Sequence, residues 1–75
     1  MAEKITTIRA EIAASVWKIA AAAGTELVED DPIIILESMK MEIPVMAPHA
    51  GTVVEILIEE GQLVEEGQAV ATFRP

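Results

Sequence analysis

The 75-residue chain has no cysteine, no tyrosine, one tryptophan, one phenylalanine and only five basic residues. Without cysteine, a disulfide framework, a thiolate metal site and a thiol nucleophile are all excluded. The single histidine, His49, cannot form a zinc site alone. With so few aromatic residues the core must be aliphatic, and a chain of this length is enough for one small domain, residues 1–75, and not for two.

Positive charge is scarce, and the formal net charge is −8. The five basic residues are scattered along the chain: Lys4, Arg9, Lys18, Lys40 and Arg74. No basic patch is available to neutralise phosphates, so we expect no nucleic-acid partner. No apolar run approaches the roughly 20 residues that a membrane span needs, and "MAEKITTIRAE" lacks the apolar core of a signal peptide. We therefore expect no membrane partner and a cytoplasmic location.

The two halves of the sequence have glycines and acidic turns at similar positions. "GTELVEDDPIIIL" begins at Gly24 and "GQLVEEGQAVATF" begins at Gly61, a shift of 61 − 24 = 37 positions. At this shift the glycines and the acidic turns align, and a set of aliphatic residues pairs conservatively along both halves. Such internal similarity predicts that the domain consists of two similar halves that face each other.

The second half has the composition of short strands. "GTVVEILI", "AVATF" and, before them, "PIIILE" are rich in β-branched residues and are bounded by glycine, proline and acidic turns. The first half is ambiguous, because "IRAEIAASVWKIAAAAG" is rich in alanine and has aliphatic residues at near-helical spacing. However, "SVWKI" occupies the place that "TVVEI" has in the matching half. We therefore predict a strand there as well.

A lysine between two methionines lies where the pattern requires a chain reversal. Strands are predicted at residues 33–37 and 42–46, so that Ser38, Met39, Lys40 and Met41 form the turn between them. A primary amine at the tip of a hairpin is solvated and can be reached by another protein's active site. Met39 and Met41 either form a recognition surface, with thioethers that pack into a partner, or fill gaps in the core.

This stretch resembles the biotinyl domain of biotin-dependent carboxylases. In that family the acceptor lysine stands in a Met-Lys-Met turn after Glu-Ala or Glu-Ser, and an Ala-Pro segment leads on to Gly-Thr-Val. The matching residues here are Glu37, Ser38, Met39, Lys40, Met41, Ala47, Pro48, Gly51, Thr52 and Val53. The whole chain is also similar to short free-standing biotin/lipoyl attachment proteins. It departs from the family in "AEIAAS", where a proline and glycine are usual, and at Asp30, where glycine is common.

The resemblance implies an all-β fold, a flattened barrel (barrel-sandwich hybrid) of two facing antiparallel sheets with pseudo-twofold symmetry. It implies that Lys40 is biotinylated by a biotin protein ligase and that Met39 and Met41 contact this ligase. The flanking side chains of the site would be Glu37, Ser38 and Glu42. The biotin would shuttle a carboxyl group between biotin carboxylase and carboxyltransferase components. The chain would then be a carrier domain or subunit of a multi-component carboxylase, without catalytic residues or a metal.

Three alternatives remain open from the sequence. Lipoyl domains share the fold, and lipoate on Lys40 is possible, although their lysine usually lies in an Asp-Lys-Ala turn. A structural or interaction module of the same fold would carry no modification. An enzyme is the least expected, because Glu37, Glu42 and His49 are titratable but form no visible pair of nucleophile and base.

Overall fold

The computed structural model describes residues 4–75, which contain eight β-strands and no helix. No helix in this part of the chain is therefore long and apolar enough to cross a membrane. The strands, in chain order, are β1 Thr6–Arg9, β2 Ala14–Ile19, β3 Glu26–Leu27, β4 Pro32–Ser38, β5 Met41–Met46, β6 Gly51–Ile56, β7 Leu63–Val64 and β8 Ala69–Arg74.

The strands form two four-stranded antiparallel sheets. One sheet has the order β1-β8-β6-β3 and the other has the order β5-β4-β2-β7. Buried aliphatic side chains from both sheets form a single core around Phe73, which is fully buried, and no polar or charged side chain of residues 4–75 is buried. The predicted all-β fold of two facing antiparallel sheets is confirmed.

The two sheets are related by the 37-residue repeat. Adding 37 to the bounds of β2, 14 and 19, gives 51 and 56, the bounds of β6, and the same shift takes β3 onto β7. Exchanging each strand for its equivalent converts the strand order of one sheet into that of the other. The predicted pseudo-twofold relationship between the halves is therefore present in the fold.

Equivalent backbone hydrogen bonds tie each half to the other. The N–H of Gly24 donates to the carbonyl of Val53 at 2.7 Å, and the N–H of Gly61 donates to the carbonyl of Val16 at 2.7 Å. Positions 24 and 61 are equivalent under the repeat, and so are positions 16 and 53. Each half thus donates a hydrogen bond to the equivalent strand of the other half, at the equivalent position. The barrel is therefore held together by reciprocal contacts between the two halves.

The ambiguous segment contains strand β2, as predicted, together with the end of β1, and it forms no helix. Ala14 and Val16 are buried on the inner face of the strand, and Trp17 and Lys18 are both exposed because the ladder with β4 shifts between Val16 and Lys18. A helix here would leave β4 and β7 without the strand that pairs with both of them. Tertiary pairing overrides the helical preference of the alanines.

Candidate functional site

Lys40 lies in the tightest turn that the β4–β5 hairpin can make. The last ladder pair before the turn is Ser38 with Met41, so only Met39 and Lys40 lie between the strands. The predicted reversal at residues 38–41 is thus a four-residue β-turn with Met39 and Lys40 at its centre, and the predicted strand bounds of 37 and 42 were each one residue short of the turn. Two-residue hairpin turns are typically signalled by Asn-Gly or Asp-Gly, and a Met-Lys pair gives no such signal.

Both turn residues have backbone conformations that side chains other than glycine rarely adopt. The φ angles are +51° for Met39 and +66° for Lys40. Positive φ at both central positions is the pattern of a type I′ turn, which matches the right-handed twist of the strands. For residues with a Cβ this conformation costs about 1–2 kcal/mol each. Backbone strain of this kind clusters at functional sites, so its presence in an exposed turn without glycine indicates a functional role for the turn.

The side chains of the turn extend into solvent. Met39 is 91% exposed and Met41 is 64% exposed, so neither fills a gap in the core. Lys40 is exposed as well, and its ammonium has no hydrogen-bond or ion-pair partner within residues 4–75. A free primary amine flanked by two accessible thioethers is thus presented at the end of a rigid two-stranded support. This arrangement suits modification by another protein.

Two carboxylates lie beside the turn. Glu37 and Glu42 are direct partners across the ladder, and both are exposed. Like charges in this relationship destabilise a sheet. Ser38 is half-buried at the end of β4, and the hydroxyl of Ser15 on the neighbouring strand donates to the carbonyl of Glu37 at 3.2 Å. The hairpin thus has an acidic pair immediately below the lysine, and the hydrogen bond from Ser15 helps to fix its backbone.

His49 belongs to the loop between β5 and β6, at the opposite end of β5 from the turn. Its Nδ1 lies 2.9 Å from the carbonyl oxygen of Ala50, and its ring contacts the ring of Phe73 at a centroid distance of 5.3 Å. The histidine therefore has a structural role and is not brought to the lysine. Within residues 4–75 no three His, Cys, Asp or Glu side chains group as they would to hold a metal ion.

Sequence reasoning missed Trp17 as a surface feature. Trp17 lies on β2, in the same sheet as the lysine hairpin, and 49% of its surface is exposed. An exposed tryptophan is a frequent anchor of protein interfaces. The signal that could have found it is the repeat itself, since the equivalent residue of the other half is the smaller Val54.

The sequence pattern of a protein family described as "Biotin-requiring enzyme" matches residues 4–73, nearly the whole chain. The chain belongs to the biotin/lipoyl attachment family. Two relatives of similar length support this membership. The chain is 41% identical to a biotinylated protein TB7.3 homolog of Mycobacterium leprae, over 88% of this chain and 93% of that protein. It is 39% identical to a biotin/lipoyl attachment protein of Bacillus subtilis, over 85% and 88%.

A solved structure gives the same result for the fold. The biotin/lipoyl attachment fold of this chain superposes on part of the crystal structure of Kluyveromyces lactis urea carboxylase with a TM-score of 0.89 and 34% identity. The match covers 97% of this chain and only 6% of that chain. The similarity therefore concerns one small domain of a much larger protein.

Proposed function

We propose that this protein is a biotin carrier, with biotin attached covalently to the Nζ of Lys40. The observation that carries the proposal is a solvated lysine that has no partner among residues 4–75, held at positive φ between two exposed methionines, in a chain of the biotin/lipoyl attachment family. The site fits an amide-linked group, since the amine points away from the core and the flanking residues leave it open to a second protein.

Attachment requires a separate biotin protein ligase that presents biotinyl-AMP. The amine of Lys40, deprotonated on the ligase, attacks the acyl carbonyl; the C–N bond forms as the C–O bond to AMP breaks, and AMP leaves with that electron pair. Among residues 4–75 no base is placed to take the proton, because the titratable neighbours of the lysine on the ladder, Glu37 and Glu42, are exposed carboxylates. The ligase supplies the base, and the net charge falls from −8 to −9 as the lysine charge is lost.

Once attached, biotin supplies the capacity to carry a carboxyl group between two enzyme sites. The chain's own contribution is tethering. A long flexible lysine arm on a rigid barrel keeps the cofactor at high effective concentration near a biotin carboxylase component and a carboxyltransferase component in turn. The similarity to a domain of urea carboxylase supports such partners. The chain then acts as a non-catalytic component of a multi-component carboxylase in the cytoplasm.

The direct test is modification of the purified chain by a biotin protein ligase with biotin and ATP. Intact mass should show one biotinyl group on the wild type and none on Lys40→Arg, because the guanidinium keeps the charge but is not a nucleophile. Lys18→Arg is the matched control, since Lys18 is also exposed on a strand of the same sheet. Biotin on Lys40→Arg, or a preference for lipoate when the chain is offered a lipoyl ligase in parallel, would contradict the proposal.

A further inference from the structure

The sheet that carries Lys40 has an outer face that the other half of the molecule does not reproduce. We define the lysine-side face as the outward side chains of the β5-β4-β2-β7 sheet that surround Trp17. Its residues are Ser15, Trp17, Lys18, Ile35, Glu37, Glu42, Pro44 and Leu63. These residues belong to all four strands of the sheet, and their outer face is continuous with the hairpin of the lysine.

The alternation of side chains along the strands places these residues outside. Val16, Leu36 and Val64 are each at most 2% exposed and point into the core. Their chain neighbours on β2, β4 and β7 therefore point away from it. Leu63, next to Val64, is 77% exposed, in agreement with this assignment. Along β5, the residues that pack against the core alternate in the same way with Glu42 and Pro44.

The pseudo-twofold repeat provides an internal comparison for this face. The equivalent positions on the other sheet, found by adding or subtracting 37, hold mostly polar residues. Six of the eight are polar, and the other two are Val54 and Ile5. The pairs are Ser15 with Thr52, Trp17 with Val54, Lys18 with Glu55, Ile35 with Thr72, Glu37 with Arg74, Glu42 with Ile5, Pro44 with Thr7, and Leu63 with Glu26. Both sheets have the same strands, order and bulges. The barrel can therefore be built with a polar outer face, and the apolar character of the lysine-side face is not required by folding.

Charge indicates what covers the face. Glu37 and Glu42 oppose each other at its lysine end, an arrangement that costs stability unless a cation comes between them. The carboxylate of Glu60, which accepts a hydrogen bond from the N–H of Ile19 at 3.1 Å, adds negative charge at the β2 end. Lys18 is the one cation among the described residues of β2, β4, β5 and β7. A second copy of the chain, with the same net charge of −8, would be repelled.

We propose that the lysine-side face docks onto the enzyme component whose active site the Lys40 arm enters, through an apolar pocket that receives Trp17. An arginine or lysine beside this pocket contacts both Glu37 and Glu42. The inference rests on the proposed carrier function and adds to it the surface that orients the arm. Docking through the same sheet places the hairpin at the border of the interface, so that the arm points into the partner and the rest of the barrel stays outside.

Site-specific cross-linking in the cells that naturally produce the chain tests the proposal. A photoreactive amino acid replaces Ile35 in one variant and its equivalent, Thr72, in the control. We expect position 35 to link to a biotin-dependent carboxylase component, at a peptide with a nearby arginine or lysine, and position 72 to give about a tenth of that yield or less. Equal yields at both positions, or links from position 35 only to a second copy, to the ligase or to nothing, would overturn the proposal.

Two substitutions on the face separate docking from attachment: Trp17→Thr removes the indole, and Leu63→Glu introduces the residue that the other half has at Glu26. Trp17→Thr and Leu63→Glu should each reduce cross-linking from position 35 and the rate of carboxyl transfer with the captured component by about tenfold. Val54→Thr is the matched control on the other sheet and should change neither. Biotinylation of Lys40 by the ligase should stay within about twofold for all three variants, since the amine and its turn are unchanged. A wild-type chain that is not biotinylated would contradict the carrier function. If Trp17→Thr and Leu63→Glu are biotinylated and their rates of carboxyl transfer are undiminished, only the docking face is contradicted.

Discussion

The backbone N–H of Asp30 donates a hydrogen bond to the carbonyl of Ala47 at 3.0 Å, while Asp30 itself has a φ of +74°. The equivalent bond in the other half joins the N–H of Gly67, with a φ of +84°, to the carbonyl of Ala10 at 2.8 Å. Aspartate thus adopts the conformation of its glycine counterpart. The departure from the family at this position leaves the turn intact and adds only a local backbone cost.

The first prediction concerns this turn. Asp30→Gly should raise the free energy of unfolding by about 0.5 kcal/mol, because relief of the left-handed backbone exceeds the added freedom of glycine in the unfolded chain. The reciprocal Gly67→Asp should lower it by a similar amount. Urea denaturation of the three proteins measures both changes. A loss of stability in Asp30→Gly would show that the aspartate side chain supports the turn by a contact of its own.

The second prediction concerns Gly51, the first residue of β6. A Cβ at this position would overlap the carbonyl of Arg74 and lie 2.8 Å from a ring carbon of Phe73. Gly51→Ala should therefore destabilise the fold by about 2–3 kcal/mol, since the backbone of β8 and a buried ring must both shift. Gly61→Ala is the control, because its Cβ would meet nothing within 4 Å and only its φ of +87° opposes the change. The free energy of unfolding of Gly61→Ala should fall by about 1 kcal/mol. Equal losses for Gly51→Ala and Gly61→Ala in urea denaturation would contradict the steric overlap at position 51.

The third prediction separates the two roles of Met39. Met39→Gly should stabilise the hairpin, because glycine adopts the φ of +51° without strain. The same variant should be biotinylated about tenfold more slowly, measured as kcat/KM of the ligase, because an exposed thioether that packs against the ligase is lost. Met46→Ala is the control: Met46 is also exposed, but it lies at the far end of β5. An unchanged rate for Met39→Gly would remove this methionine from ligase recognition.

Much of the fold could be predicted from the sequence because the repeat carries it. The alignment of "SVWKI" with "TVVEI" predicts strand β2 against a local preference for helix, and the structure confirms it. The alanines favour a helix only in isolation; in the barrel, Ala14 and Val16 are needed in the core between the sheets. Long-range strand pairing determines that this segment is a strand and not a helix, and in the sequence this pairing is indicated by the repeat.

The site was less accessible to such reasoning. The position of Lys40 at the hairpin tip follows from the strand pattern, whereas the two-residue turn does not, because Met and Lys carry no sign of positive φ. The outer face around Trp17 was missed for a different reason. Which side of a strand a residue occupies depends on register and bulges, and the ladder of β2 with β4 shifts between Val16 and Lys18. Only the structure shows that the indole lies outside.

Mass spectrometry of the chain isolated from the cells that naturally produce it tests most directly whether Lys40 carries biotin. We expect a mass increase of one biotinyl group, which fragmentation assigns to the peptide that contains Met39, Lys40 and Met41. The same spectrum should show that Lys4 and Lys18 are unmodified. An unmodified Lys40, a lipoyl group in place of biotin, or biotin on another lysine would contradict the proposed function.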